Sequence, residues 1–128
     1  MNPDPYNSSM KQRLFDMLIK HEGLRLKPYK CPAGKLTIGV GRNIEDNGIS
    51  EQEAMFLLSQ DVGRCYTEAD EFEWFPKLDD YRQEVIISMI FNLGISRFKG
   101  FRKTIAALEA QDYETAAKEM LDSLWARQ

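Results

Sequence analysis

The sequence is poor in cysteine and histidine, the residues of disulfide frameworks and of thiolate- or imidazole-based metal sites. Only two cysteines, Cys31 and Cys65, and one histidine, His21, occur among the 128 residues. Two cysteines cannot build the disulfide network of a small secreted domain, and these two lack the spacing of a metal-binding pair. A single histidine argues against a histidine-based metal centre. We therefore predict no metal and no cofactor.

The chain also lacks a strong excess of charge and any long apolar run. Its formal net charge is -3, so nothing draws it as a whole to nucleic acid or to anionic membranes. No apolar run approaches the ~20 residues of a membrane-spanning helix. The N-terminal residues MNPDPYNSSMKQ lack the order of a signal peptide. We expect no nucleic-acid partner, no membrane span and synthesis in a cytoplasm.

What the chain does contain is typical of a single globular domain over residues 1–128. Hydrophobic residues make up 43% and charged residues 29%, which argues against disorder. Gly23 can end a first helix that Ser8 or Ser9 caps. The segments GLRLKPYK and KLTIGVG then alternate around a turn, which predicts a sheet lobe over residues 23–49. The strand residues predicted to share one face are Leu36, Ile38 and Val40. The segment IEDNGIS is predicted to be a further turn, with Asn47-Gly48 at its tip.

The remaining residues predict helices. Ser50 and Glu53 form a capping box for a connecting helix over residues 50–67. Trp74-Phe75-Pro76 is predicted to be a break, and a helical lobe over residues 78–128 follows. Asp79 or Asp80 caps its first helix, which has the apolar segment VIISMIFNL as its core and Gly94 as its end. Two more helices are expected near 101–110 and 112–126. The residues expected to face the core are Ala54, Leu57, Leu58, Val62 and Cys65, and then Ala116, Ala117, Met120, Leu121, Leu124 and Trp125. The predicted fold class is α+β, mainly helical.

Three side chains with reactive groups lie near the junction of the first helix and the sheet. Glu22, Cys31 and Thr37 form the pattern E-x8-C-x5-T. A carboxyl group in a cleft can act as a general acid, and a hairpin can direct a thiol and a hydroxyl at the same substrate. Each residue also has a structural interpretation, as a solvated acid, a buried thiol or a strand former. The spacing alone leaves both interpretations open.

Several other polar residues and thiols have simpler expectations. Arg42 could pair with an acid of the helical lobe, whereas Glu45 and Asp46 are expected to be solvated. Cys65 is expected to pack in the core. A disulfide between Cys31 and Cys65 stays open, because the sequence does not give their separation.

The segment HEGLRLKPYKCPAGKLTIGVGRN resembles the catalytic segment of phage-type lysozymes, glycoside hydrolase family 24. Members show Glu-Gly, a Leu-Arg-x-x-x-Tyr stretch, an acid or a cysteine, and then Thr-Ile-Gly-x-Gly. The similarity continues through ISEQEAMFLLSQDV, VIISMIFNLG, GFRKTIAAL and YETAAKEMLDSLWARQ. The resemblance implies a lysozyme-like fold and hydrolysis of the β-1,4 bond between N-acetylmuramic acid and N-acetylglucosamine in bacterial peptidoglycan.

The resemblance also implies roles for individual residues. Glu22 matches the general acid, and Thr37 matches the hydroxyl that orients the attacking water. Cys31 falls where many members have aspartate and a subset has cysteine. The residues matched to the glycan cleft are Phe91, Asn92 and Thr104, and Trp125 matches a packing aromatic.

The chemistry at Cys31 leaves two routes open. Cys31 could polarise a water, which inverts the anomeric carbon, or attack the carbon itself, which retains its configuration. We favour water activation, the role that the family's aspartate fills. Two further functions stay open: a lysozyme-fold binding or regulatory module without turnover, and a lytic transglycosylase, which needs only the acid.

The resemblance has one departure, at the C-terminal residues LWARQ. Relatives typically continue with a basic helical segment that packs on the first helix and brings an arginine near the catalytic acid. We expect a monomer, with association through an open C-terminal face as the alternative. We also expect a phage endolysin that resides in the host bacterial cytoplasm before lysis and acts on the periplasmic cell wall.

Overall fold

The computed structural model describes residues 8–126, and within the last helix it describes side chains as far as residue 122. The chain comprises two compact units, Met1–Glu53 and Ala54–Gln128. Most described residues are helical, and a single three-stranded antiparallel sheet accompanies them. This combination confirms the predicted α+β class.

The first unit contains a helix, a small sheet and a one-turn helix. Helix α1 spans Ser8–Glu22, and Gly23 ends it as predicted, with a φ of 79° and an N–H that donates to the Ile19 carbonyl at 2.8 Å. The elements that follow are β1 (Arg25–Lys30), β2 (Leu36–Gly39), β3 (Arg42–Asn43) and α2 (Ile44–Asn47), with the strands in the order β1-β2-β3.

Helix α2 lies where the sequence predicted only a turn. The Asn43 side chain accepts a hydrogen bond from the Asp46 N–H at 3.1 Å, which caps the helix. The Gly48 N–H donates to the Ile44 carbonyl at 2.9 Å and ends it after one turn. The turn signal was therefore correct in position, but it concealed a short helix that carries Glu45 and Asp46.

The buried face of β2 carries Thr37. Leu36 and Val40 are exposed and Ile38 is half-buried, whereas Thr37 is only 3% exposed. Successive side chains along a strand point to opposite faces, so Thr37 lies on the face away from Leu36 and Ile38. The hydrophobic alternation located the strand and grouped Leu36 with Ile38 correctly, but this apolar face is the more exposed of the two.

The second unit contains most of helix α3 (Glu51–Asp70), a short 3₁₀ helix (Phe75–Lys77) and helices α4 (Asp80–Leu93), α5 (Ile95–Lys99), α6 (Arg102–Glu109) and α7 (Tyr113–Ala126). The capping box at the start of α3 is confirmed. Ser50 N–H donates to Glu53 Oε1 at 2.8 Å, and Glu53 N–H donates to Ser50 Oγ at 3.1 Å. Asp79 caps α4 and Gly94 ends it, as predicted.

The core of the second unit combines aromatic and aliphatic side chains and includes Trp74 and Phe75, which the sequence marked only as a break between helices. Phe75 and Phe98 are fully buried, and the Trp74 ring stacks on Phe72 with centroids 4.9 Å apart. Proline within the 3₁₀ helix sets the chain direction that buries these rings. The α4 residues that join this core are Ile86, Met89 and Ile90.

Three predicted apolar faces are less buried than expected. Helix α4 is not buried all round, since Val85 and Phe91 are exposed. On α3 only the C-terminal turns reach the core: Cys65 and Ala69 are buried, whereas the stripe residues Leu57, Leu58 and Val62 are exposed. On α7, Ala116 is buried and Met120 is partly buried, but Ala117 and Leu121 are exposed. The side chains of Leu124 and Trp125 lie outside the described residues.

Candidate active site in the first unit

Glu22 is the last residue of α1, and its carboxyl group lies against the backbone of Gly41. A Cβ atom built on Gly41 would lie 2.9 Å from Glu22 Oε2 and 3.2 Å from its carboxyl carbon. Gly41 also has a φ of 68°, a backbone conformation that other residues rarely adopt. Because any side chain at position 41 would meet the carboxyl group, only glycine permits this approach.

Cys31 and Thr37 lie at the two ends of the β1–β2 turn. Cys31 N–H donates to the Lys35 carbonyl at 2.9 Å, and Gly34 N–H donates to the Cys31 carbonyl at 2.8 Å. The Thr37 hydroxyl donates to the same Lys35 carbonyl at 2.9 Å. One carbonyl therefore holds both the residue with the thiol and the residue with the hydroxyl, which brings the two predicted residues together.

The turn also stabilises the ionised form of the Cys31 thiol. The backbone N–H of Lys35 has the largest effect and lowers the pKa of Cys31 below its ordinary value. Partial burial opposes this effect, while hydrogen bonds from the Ala33 N–H and the Thr37 hydroxyl add to it. A partly exposed thiol with this set of donors is a stronger candidate for chemistry than an inert core cysteine.

The Thr37 hydroxyl also affects the ionisation of Cys31. A hydroxyl has one hydrogen, and in the structure it is directed at the Lys35 carbonyl. A hydrogen bond from the same hydroxyl to the Cys31 sulfur contributes to the lowered pKa of Cys31. Because one hydrogen serves one acceptor at a time, the carbonyl and the sulfur compete for it.

Helix α2 braces this turn through acids that the sequence had assigned to solvent. The Lys35 ammonium lies 3.3 Å from Asp46 Oδ1 and 3.7 Å from Glu45 Oε2. Glu45 also accepts a hydrogen bond from the Leu36 N–H at 3.2 Å. Glu45 and Asp46 are exposed, as predicted, but both also contact the strand entry beside Thr37, which the sequence did not indicate.

Arg42 has a different partner from the one predicted. Its Nη1 donates to Glu53 Oε1 at 2.6 Å, and Glu53 lies in the first turn of α3 rather than in the helical lobe over residues 78–128. This pair links β3 to the start of α3. The contact holds the pKa of Glu53 at about 2, with the Arg42 hydrogen bond as the main cause.

Residues 19–128 match the family model described as phage lysozyme. The chain belongs to the phage lysozyme family. "Probable T4-type lysozyme 1" of Dictyostelium discoideum is 28% identical in an alignment that covers 93% of this chain and 88% of the relative. "Endolysin" of Acyrthosiphon pisum secondary endosymbiont phage 1 is 30% identical, with 82% and 73% covered. "SAR-endolysin" of Escherichia phage Mu is 33% identical, with 80% and 61% covered.

The predicted glycan-binding residues of this phage lysozyme family member lie in the second unit. Phe91 and Asn92 both lie in the last turn of α4, where Phe91 is 44% exposed. Asn92 also lines a depression of about 390 Å³ on the surface of α4, together with Glu84 and Ser88. Thr104 differs from them, since it is 1% exposed and its hydroxyl has no hydrogen-bond partner among the described residues.

The two cysteines of this phage lysozyme family member are both free. Cys65 is buried in the core of the second unit, as predicted, and Cys31 stays partly exposed in the first. His21, beside the candidate acid, is exposed. No cluster of three or more His, Cys, Asp or Glu side chains suited to a metal ion occurs among the described residues. Within the same residues, none of the helices is long and apolar enough to cross a membrane.

The sequence did not identify Gly41, Lys35 or Glu53 as parts of the site. A signal for Gly41 existed in the G-x-G pattern of TIGVGR, since paired glycines mark positive φ or close backbone approach. No local signal could have paired Lys35 with Glu45 or Arg42 with Glu53, because each pair is brought together by the fold across about ten residues.

Proposed function

We propose that this member of the phage lysozyme family is a peptidoglycan muramidase of glycoside hydrolase family 24. It hydrolyses the β-1,4 bond between N-acetylmuramic acid and N-acetylglucosamine. Glu22 donates a proton to the leaving oxygen, and Cys31 with Thr37 positions and activates the attacking water. The observation that carries the proposal is the turn that holds the Cys31 sulfur and the Thr37 hydroxyl on the Lys35 backbone, in the unit where the Glu22 carboxyl lies against Gly41.

Family membership and the three reactive groups support each other. The chain shares 30% identity with a protein named endolysin. Glycoside hydrolysis requires a proton donor for the leaving group and a second group that either activates water or attacks carbon. A thiolate stabilised by backbone N–H groups can fill the second role, as the carboxylate of an aspartate would.

Water activation is the route that we propose for Cys31, because it is the role that aspartate fills at this position in the family. Hydrogen bonds from Lys35, Ala33 and Thr37 stabilise the thiolate, so more of the sulfur is in the form that can attract a proton from water. The Thr37 hydroxyl can then hold the water whose proton the thiolate attracts. Inversion of the anomeric carbon is the consequence, and attack by sulfur with retention is the alternative.

Peptidoglycan is the proposed partner, with Phe91, Asn92 and Thr104 as glycan-binding residues. We further propose that the protein is a monomeric phage endolysin, which is stored in the host bacterial cytoplasm and attacks the periplasmic wall at lysis. Analytical ultracentrifugation with and without soluble wall fragments measures whether the protein is a monomer.

The deciding experiment measures reducing sugar released from purified peptidoglycan by the wild type and by Glu22→Gln. Glutamine keeps the volume of glutamate but cannot donate the proton, so release should fall at least about 100-fold. Glu73→Gln is the matched control, because Glu73 belongs to the second unit and has no place in the proposed site. Its release should equal that of the wild type.

Product analysis then tests the bond that is cleaved. Borohydride reduction followed by acid hydrolysis should label muramic acid at the new reducing end, as a muramidase requires. Label in glucosamine would contradict muramidase specificity, and a non-reducing anhydro product would indicate a transglycosylase. A folded wild type that binds peptidoglycan without releasing sugar would favour a binding module without turnover.

A further inference from the structure

We propose that Arg42 and Glu53 are positioning residues that hold Gly41 against the Glu22 carboxyl group. The inference rests on the proposed role of Glu22. It adds two residues that act on Glu22 through Gly41 and that do not touch the substrate. Its physical basis is a short path of contacts: Glu53 holds Arg42, and Arg42 follows directly after Gly41.

The first step of the path is the close approach at Gly41. The distances of 2.9 Å and 3.2 Å from a Cβ built at position 41 to Glu22 atoms mean that the carboxyl group lies on the open Cα face of this glycine. A shift of the Gly41 backbone toward α1 would collide with the carboxyl group, and a shift away would leave it unsupported. The position of Gly41 therefore limits the rotamers open to Glu22.

The second step is the freedom of Gly41 itself. It lies between β2 and β3, and Gly39, the last residue of β2, also has a positive φ, of 71°. Two glycines in three residues give this connection more conformational freedom than other residues would allow. Something outside the connection must therefore hold it in place.

The third step is the anchor that restrains the connection on its C-terminal side. Arg42 pairs with Ile38 in the sheet, and its guanidinium donates to Glu53 at 2.6 Å. Glu53 is in turn held by the Ser50 N–H at 2.8 Å, so the acceptor does not move freely. A flexible connection between two restrained strands is positioned by its anchors, and Arg42 supplies one of them.

The principal test compares kinetic constants for Arg42→Met, Arg42→Lys and the wild type on soluble peptidoglycan fragments. Arg42→Met removes the donor, so kcat should fall about 10-fold while KM changes less than about twofold, because loss of orientation affects the reaction more than binding. Arg42→Lys keeps a donor for the single contact to Glu53 Oε1 and should recover most of the rate.

Arg64→Met is the matched control. Arg64 pairs with Asp61 at 3.1 Å on α3 and is likewise exposed, but that pair is separate from the path to Gly41. This variant should keep the wild-type kcat. If Arg42→Met keeps the wild-type kcat, or if Arg64→Met loses as much as Arg42→Met, the positioning role is wrong.

A second readout does not depend on turnover. Glu22→Gln should change the amide chemical shift of Gly41, because the carboxyl group lies against the Gly41 backbone. In the Arg42→Met background the same Glu22→Gln substitution should change that shift by only about half as much, because the carboxyl group is no longer held at the same distance. An equal change in both backgrounds would overturn the inference. An inactive wild type would instead contradict the proposed muramidase and leave this spectroscopic result to decide the positioning role.

Discussion

Across residues 8–53 the structure buries a single side chain, that of Thr37, whereas residues 54–122 enclose a continuous aromatic and aliphatic core. The first unit is organised instead by polar contacts, among them Lys35 with Glu45 and Asp46 and Arg42 with Glu53. Exposed ion pairs contribute only about 0–1 kcal/mol each. The candidate reactive groups therefore lie in the unit with the weaker packing, and the second unit supplies most of the burial.

This contrast shows why the site depends on several weak contacts acting together. Glu22, Cys31 and Thr37 are each held by a backbone group: the face of Gly41, the Lys35 N–H and the Lys35 carbonyl. Backbone groups have few degrees of freedom, so they can orient reactive side chains where no core surrounds them. The polar pairs then hold those backbone segments in place.

The largest difference between the units should appear in stability. Phe98→Ala removes a fully buried ring and should lower the free energy of unfolding by about 3–5 kcal/mol. Leu26→Ala in the sheet removes a side chain that is 82% exposed and should change it by less than about 0.5 kcal/mol. Urea denaturation followed by circular dichroism measures both, and similar losses would contradict this difference in packing.

The next largest effect concerns turnover and should come from Cys31. Cys31→Ala should lower release of reducing sugar about 100-fold, whereas Cys31→Asp should preserve it, because a carboxylate can also activate water. If the reaction needs the thiolate, the activity of the wild type falls as pH falls through the lowered pKa of Cys31. In Cys31→Asp this loss of activity at acid pH should move toward pH ~4, the ordinary pKa of an aspartate. Full activity of the alanine variant would return Cys31 to a packing role.

A smaller effect on stability should come from Thr104, whose hydroxyl is the one buried hydroxyl among the described residues of the second unit. Thr104→Val keeps the shape of the side chain and removes a hydroxyl that has no partner among those residues, so stability should rise by about 1 kcal/mol. Thr67→Val is the control, because Thr67 is exposed on α3 and its hydroxyl donates to the Gly63 carbonyl at 3.0 Å, so this variant should not gain stability. If Thr104 also binds glycan, its variant should be more stable but less active. Unchanged activity would remove Thr104 from the glycan-binding set.

The smallest effect concerns the pH dependence of the first unit. The folded pKa of Glu53, about 2, lies below its ordinary value of 4.5, so its pairing with Arg42 stabilises the fold above pH 4.5 and is lost as pH falls toward 2. Because the Glu53 side chain is 41% exposed, solvent screening keeps the effect small. In Glu53→Gln, unfolding midpoints should fall less between about pH 5 and about pH 3 than in the wild type. An equal fall would mean that other acids dominate.

The sequence predicted local features of this chain more reliably than burial. Gly23, Ser50 with Glu53, Asp79 and Gly94 end or begin helices as expected, because capping depends on residues within one turn of each other. Most of the stripe on α3 was assigned to the core wrongly, because burial depends on which distant segments pack there. The aromatic core around Trp74 and Phe75 was missed for the same reason.

By itself the sequence determined the α+β class, the start and end of the long helices and the three candidate reactive residues, since these follow from local pattern and from family resemblance. Only the tertiary structure decided that Lys35 joins Cys31 to Thr37, that Gly41 supports Glu22 and that Arg42 reaches Glu53. Hydrogen bonds and close approaches between residues distant along the chain require a particular path of the backbone, and no local sequence pattern specifies that path.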